Sequence, residues 1–127
     1  MDSRKKILVV DDDRNMLRLL QAFLRDSYHV FACDNGRKAL KIIEEQGPID
    51  LVLLDYLMPD MDGYETLKLI KEDKTMSDTD VFFLTGVSET EKVDSVMELE
   101  PAGYILKPIG KLSLLAKINE YFESKQA

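Results

Sequence analysis

At 127 residues the chain is long enough for one domain with its own core, and it needs no disulfide or metal to fold. Its 45% hydrophobic and 32% charged residues exclude collagen-like, disordered and disulfide-rich classes. A net charge of -7 leaves little for phosphate-backbone contacts, so direct nucleic-acid binding is not expected, and the single cysteine, Cys33, excludes an internal disulfide and suits a reducing compartment.

The N-terminal Arg4-Lys5-Lys6 is followed by only four apolar residues, too few for a signal-peptide core. No stretch approaches the roughly 20 apolar residues of a membrane span, so a cytoplasmic protein is expected. Ile7-Leu8-Val9-Val10 reads as a strand buried on both faces. After Asp11-Asp12-Asp13, the apolar residues Met16, Leu17, Leu20, Phe23 and Leu24 share one helix face. Tyr28 to Cys33 is a weaker second strand. Asn35-Gly36 signals a turn, and Ala39, Leu40 and Ile43 form a short helix face closed by Gly47-Pro48.

Leu51-Val52-Leu53-Leu54 is the third strand. Met58 to Gly63 has loop chemistry, and a helix with Leu67 and Ile70 on one face follows. Val81 to Leu84 is the fourth strand. Ser88 and Glu91 make a capping box for a helix with Val93, Val96 and Met97 inward, ended by Pro101. Tyr104-Ile105-Leu106 is a short fifth strand, and Leu112, Leu115, Ile118 and Phe122 are the apolar face of a last helix. Five strands alternating with five helices predict a doubly wound α/β domain, a parallel sheet with helices on both faces. No repeat, low-complexity tract, linker or effector domain shows, so residues 1–127 are expected to be a single unit with its core over about 5–124.

In such a sheet ligands bind beyond the carboxyl ends of the strands. Those ends carry Asp11 and Asp12, Asp55, Thr85 and Lys107. Two charges about 4 Å apart interact by roughly 4 kcal/mol at an effective dielectric near 20. One lysine does not offset three anions at that spacing, whereas a hard divalent cation does. Oxygen-only ligands favour Mg²⁺ over zinc or copper. A metal beside a carboxylate and a lysine makes a phosphoryl-handling site in which Asp55 can be the nucleophile. Taken singly, an aspartate after a strand is often a helix N-cap, as Asp12 or Asp13 could be for the first helix. The joint pattern at four strand ends carries the inference.

Two other motifs compete. Asp60-Met61-Asp62-Gly63 is reminiscent of a calcium loop, but glycine at loop position six would place Met58 and Leu69 at the first and last ligand positions. Asp11-Asp12-Asp13 suits a small haloacid-dehalogenase-like phosphohydrolase with Asp11 as nucleophile, although Asn15 stands where that signature has Thr or Val. A phosphorylation-independent scaffold is the third alternative.

Val9-Val10-Asp11-Asp12-Asp13, Leu54 to Gly63, Leu84-Thr85-Gly86 and Tyr104-Ile105-Leu106-Lys107-Pro108 occur in one order and spacing. In these the chain resembles the receiver domain of two-component response regulators, of the chemotaxis-regulator type, over roughly residues 5 to 124. The resemblance implies a flavodoxin-like (βα)5 fold with strand order 2-1-3-4-5. It implies that Asp55 accepts a phosphoryl group from a histidine of a sensor kinase or phosphotransfer protein, with no other enzymatic turnover. Asp11, Asp12, Asp55 and the main-chain carbonyl of Leu57 would hold Mg²⁺. Lys107, Thr85 and Gly86 would bind the phosphoryl oxygens. Thr85 and Tyr104 would switch the surface around the last two helices toward a downstream protein target, as a monomer or a weak phosphorylation-dependent dimer. The Lys107–Pro108 bond would be cis. Glu100-Pro101-Ala102-Gly103 and Ile109 depart from the usual pattern, which bears on the loop before the fifth strand. Leu57 and Val87 would flank the path of a hydrolytic water, and being apolar they predict slow loss of phosphate. His29 is expected at the surface and Cys33 packed.

Overall fold

The computed structural model describes residues 4–56, 58, 61–86, 101–107 and 109–126. Five parallel strands, β1 (Lys6–Val10), β2 (His29–Cys33), β3 (Leu51–Asp55), β4 (Val81–Gly86) and β5 (Gly103–Lys107), form one sheet in the order β2-β1-β3-β4-β5. The described helices are α1 (Arg14–Leu24), α2 (Gly36–Gln46), α3 (Gly63–Glu72) and α4 (Lys111–Gln126). The helix expected after Ser88, with Val93, Val96 and Met97, lies outside the described residues.

The apolar runs become strands because both faces of the sheet are covered. Every residue of Ile7–Val10 and Leu51–Leu54 is fully buried. Successive side chains alternate between the faces. Ile7, Val9, Leu51, Leu53, Phe82, Leu84 and Ile105 pack with Leu17, Leu20 and Leu24 of α1 and Leu114, Ile118 and Phe122 of α4. Leu8, Val10, Val52, Leu54, Val81 and Phe83 pack instead with Ala39 and Ile43 of α2 and Leu67 and Ile70 of α3. Two apolar layers therefore enclose the sheet.

The helix starts follow local chemistry. Asp13 caps α1 by accepting from the N–H groups of Asn15 and Met16. Asn35 caps α2 through the N–H of Lys38, and Asp62 caps α3 through that of Glu65. Gly36 lets α2 approach α3 closely, since a Cβ there would collide with the Thr66 hydroxyl and the Met61 side chain.

Some expected bounds and faces need adjusting: β3 runs on to Asp55 and β4 to Gly86, past the expected ends at Leu54 and Leu84. Leu112, expected on the inner face of the last helix, is 82% exposed, and Leu114 is buried instead. The inward series is Leu114, Ile118 and Phe122 at strict i, i+4, i+8 spacing, and Leu112 lies off that stripe in the first turn. β2 begins at His29, because Tyr28 turns into the core and donates its hydroxyl to the Asn119 side chain. β5 extends one residue beyond the expected run at each end, to Gly103 and Lys107. As expected, His29 is exposed and Cys33 is buried, where desolvation pushes its thiol up to about 11.

Candidate functional site

Strand register brings the site together. Val10 pairs with Leu54 across β1 and β3, Asp55 with Leu84 across β3 and β4, and Gly86 with Lys107 across β4 and β5. The carboxyl ends of four strands are thus level at one rim. The chain moves from β1 outward to β2 and then returns across β1 to β3, so strand order reverses between β1 and β3. Asp11, immediately after β1, and Asp55, ending β3, flank that reversal.

The two-residue alternation then sorts the side chains. Asp11 follows Ile7 and Val9, Asp55 follows Leu51 and Leu53, and Lys107 follows Ile105, all on the face covered by α1 and α4. Lys107 Nζ sits 2.9 Å from Asp11 Oδ2 and 3.1 Å from Asp55 Oδ1. Asp11 Oδ1 accepts from the Asp13 N–H at 2.9 Å. Oxygens of Asp11, Asp12 and Asp55 all lie within 4.8 Å of one another. Asp11 and Asp55 are buried, at 0% and 4% exposure, whereas Asp12 is open to solvent.

Thr85 belongs to the opposite alternation, with Val81 and Phe83. It is buried, and its hydroxyl donates to the Gly86 carbonyl at 3.3 Å. Tyr104 is paired in register with Phe83 and so shares that face with Thr85, two positions along. Tyr104 is 42% exposed. A buried hydroxyl therefore adjoins an outward aromatic at the sheet's β5 edge. Leu57, Pro59, Asp60, Val87 and Pro108 lie outside the described residues, so the Leu57 carbonyl, the water path past Leu57 and Val87 and the isomer of the Lys107–Pro108 bond do too.

The electrostatics are those of a crowded anionic site. Burial, reinforced by the charge of Asp11, pushes the Asp55 carboxyl up to about 7 despite the opposing pull of Lys107. Burial disfavours the Lys107 ammonium, but its hydrogen bond to Asp11 and the charge of Asp55 outweigh that and raise it overall. One cation is shared by two buried carboxylates with a third beside them. This all-oxygen donor set, open on the Asp12 side, fits a hard divalent ion such as Mg²⁺.

Sequence reasoning missed Gly63. Its N–H donates to the Tyr56 carbonyl at 2.8 Å. A Cβ there would lie 2.7 Å from the Phe83 ring and 2.9 Å from both the Asp55 carbonyl and Tyr56 Cα. The glycine thus lets α3 start against the end of the strand that carries Asp55. The signal was the Asp62-Gly63 pair, which reads only as loop chemistry without the neighbouring strand.

A family model for the response regulator receiver domain matches residues 7–119. The chain belongs to that family. The receiver domain is 31% identical to "Chemotaxis protein CheY-3" of Vibrio cholerae serotype O1, over 97% of this chain and 95% of that protein. It is 35% identical, over 98% of its own length, to a "Probable cyclic di-GMP phosphodiesterase" of the same organism, and spans only 28% of that protein. Among solved structures it superposes on the chemotaxis response regulator CheY4 of Vibrio cholerae with a TM-score of 0.86 and 26% identity, covering 94% of this chain and 99% of the other. The fold is the flavodoxin-like receiver fold of two-component signalling proteins, as the sequence motifs imply. No helix among the described residues of the receiver domain is long and apolar enough to cross a membrane.

Proposed function

We propose that this receiver domain switches a signalling surface when Asp55 accepts a phosphoryl group from a phosphohistidine on a sensor kinase or phosphotransfer protein. The observation that carries the proposal is the Asp55 carboxylate, buried at the rim, 3.1 Å from the Lys107 ammonium and within 4.8 Å of Asp11 and Asp12 oxygens. An Asp55 carboxylate oxygen attacks phosphorus, an O–P bond forms as the N–P bond breaks, and the departing imidazole takes up a proton. Lys107 balances charge on the phosphoryl oxygens, and the Thr85 hydroxyl and Gly86 N–H donate to them.

Asp11, Asp12 and Asp55, with the carbonyl of Leu57, would hold Mg²⁺. Bound there, the ion supplies the remaining positive charge the transferring phosphoryl group needs. Among the aspartates, Asp55 suits the nucleophile's role better than Asp11. One Asp11 oxygen is on Lys107 and the other on the Asp13 N–H. That favours transfer to Asp55 over a phosphohydrolase acting through Asp11.

When Thr85 turns toward the phosphoryl group, the space it leaves on its face admits the Tyr104 ring from its exposed position. This inward move changes the surface along β5 and the last two helices, where a downstream protein target reads the state. The domain works in the cytoplasm as a monomer or a weak phosphorylation-dependent dimer. Phosphate is lost slowly because Leu57 and Val87 do not orient water. Fluorine NMR of the chain with fluorotyrosine in place of tyrosine, followed at Tyr104 with phosphodonor and Mg²⁺, tests the coupling: burial of the ring in the wild type, and none in Thr85→Val, which keeps the volume and removes the hydroxyl, is expected. Ring burial that persists without the Thr85 hydroxyl would contradict it.

A further inference from the structure

All five arginines lie between positions 4 and 37. Residues 1–46 hold nine Lys and Arg against eight Asp and Glu, while residues 47–127 hold eight against sixteen. The fold gathers the early cations along one margin. On α1, Arg14, Arg18, Gln21 and Arg25 follow i, i+4, i+7, i+11 spacing, one stripe of the helix, and all four line clefts beside β2. Lys38 and Lys41 of α2 form the opposite wall.

A cleft of about 540 Å³ runs over Ala32, Cys33 and Asp34, and a second of about 460 Å³ over Tyr28, His29 and Val30. Arg18 and Gln21 line both, so the two clefts flank β2 toward its two ends, on either side of Phe31. With Arg4 included, the walls hold six cationic side chains against the carboxylates of Asp34 and Glu45. Asp34 is taken up by Arg14 at 3.6 Å and Lys38 at 3.2 Å, and Glu45 lies 4.0 Å from Lys41. A positive trench thus lies on a chain of net charge -7.

β2 is an edge strand, paired only with β1. The His29 N–H donates to the Lys5 carbonyl and the Cys33 carbonyl accepts from the Asp11 N–H, both across the β1 side. Main-chain groups alternate in direction along a strand, so those of Val30 and Ala32 face away from β1, into the trench. The trench floor adds apolar surface from Leu17 and Ile42.

We infer that this margin binds an extended acidic segment of a protein partner, which adds to the β2 edge and sets its carboxylates against the α1 arginines and α2 lysines. Main-chain pairing with Val30 and Ala32 would give the segment its register, and the guanidinium groups would select carboxylates. Five residues of β2 offer about 17 Å, room for five or six residues of an added strand. The chain's overall acidity disfavours nucleic acid at the same place. The inference does not depend on phosphorylation at Asp55.

The test uses a fluorescein-labelled hexaglutamate peptide, whose side chains would alternate between the α1 and α2 walls, titrated at low salt against the full chain and read by anisotropy. A hexalysine peptide, an oligothymidylate and inorganic triphosphate are titrated alongside. The glutamate peptide is expected to bind and the lysine peptide not to. The double variant Arg18→Glu/Lys41→Glu is expected to lose roughly tenfold or more in affinity, since two attractions become repulsions. Amide hydrogen exchange at Val30 and Ala32 should slow in the complex. Circular dichroism and an unchanged urea midpoint check that the variant is folded. Absence of peptide binding, equal binding by the variant, protection elsewhere than on β2, or preference for the oligothymidylate or triphosphate would overturn the inference.

Discussion

Replacing Asp55 with Asn should stabilise the receiver domain in the absence of divalent metal, although it removes an ion pair. At 4.8 Å, the widest spacing observed, repulsion of Asp55 by Asp11 and by Asp12 amounts to roughly 3.5 kcal/mol each at an effective dielectric near 20. Attraction to Lys107 at 3.1 Å returns about 5 kcal/mol on the same scale. The pair terms leave a net repulsion of about 2 kcal/mol, and burial acts in the same direction. Together they leave the carboxyl titrating at about 7 instead of 3.8. A difference of that size places a ceiling of about 4 kcal/mol on the penalty of keeping the charge at pH 8. Asn keeps the shape and discards the charge, while Lys107 keeps Asp11 as its partner. We expect a gain of about 2 kcal/mol at pH 8, half that ceiling, because water reaches the site from the Asp12 side.

The sign follows from linkage. A carboxyl whose folded-state titration is raised favours the fold below its unfolded value, and that contribution is lost as pH rises through about 7. The Asp55→Asn advantage should therefore shrink as pH falls below 7, to about 0.5 kcal/mol at pH 4, near the unfolded value of 3.8. Mg²⁺ at about ten times its dissociation constant should return about 1.4 kcal/mol to the wild type and less to the variant. Urea unfolding followed by circular dichroism, at pH 4 and 8 with and without Mg²⁺, measures all four corners. A variant no more stable than wild type at pH 8 without metal, or an advantage equal at both pH values, would refute the reasoning.

Lys107→Met should cost about 3 kcal/mol at pH 8 in the same assay, because two buried carboxylates lose their shared cation, and the cost should narrow as the acids protonate at low pH. Gly63→Ala should lower stability by about 1–3 kcal/mol, since a Cβ meets the main chain of Asp55 and Tyr56, atoms that yield little. On α4, Leu114→Ala should cost about 3 kcal/mol and Leu112→Ala under about 0.5 kcal/mol, as the first is fully buried and the second 82% exposed. Asp13→Ala should cost about 1 kcal/mol through loss of the α1 cap, seen as a lower midpoint with an unchanged urea slope.

Much of the fold was legible because its strands are buried on both faces. Ile7–Val10, Leu51–Leu54 and Val81–Leu84 are apolar without interruption, a pattern that alternation with amphipathic helices turns into a parallel sheet. The charged members of the site were legible too, since each follows such a run directly. Periodicity marks a stripe but does not say where a helix first touches the core, so Leu112 was placed inward and Leu114 passed over. The role of Gly63 depends on the Phe83 ring and the Asp55 carbonyl, which register brings close from other strands. The basic margin escaped notice for a similar reason. Net charge averages over the chain, whereas the α1 and α2 cations meet only when both helices flank β2.

The most direct test is the mass of the protein after incubation with a small phosphodonor and Mg²⁺, with the modified residue located by borohydride trapping and peptide mapping. One phosphoryl group on Asp55, absent without the metal and absent in Asp55→Asn, is the predicted result. Phosphate on Asp11, or uptake on Asp55 that is indifferent to both Mg²⁺ and Lys107, would contradict the proposed function.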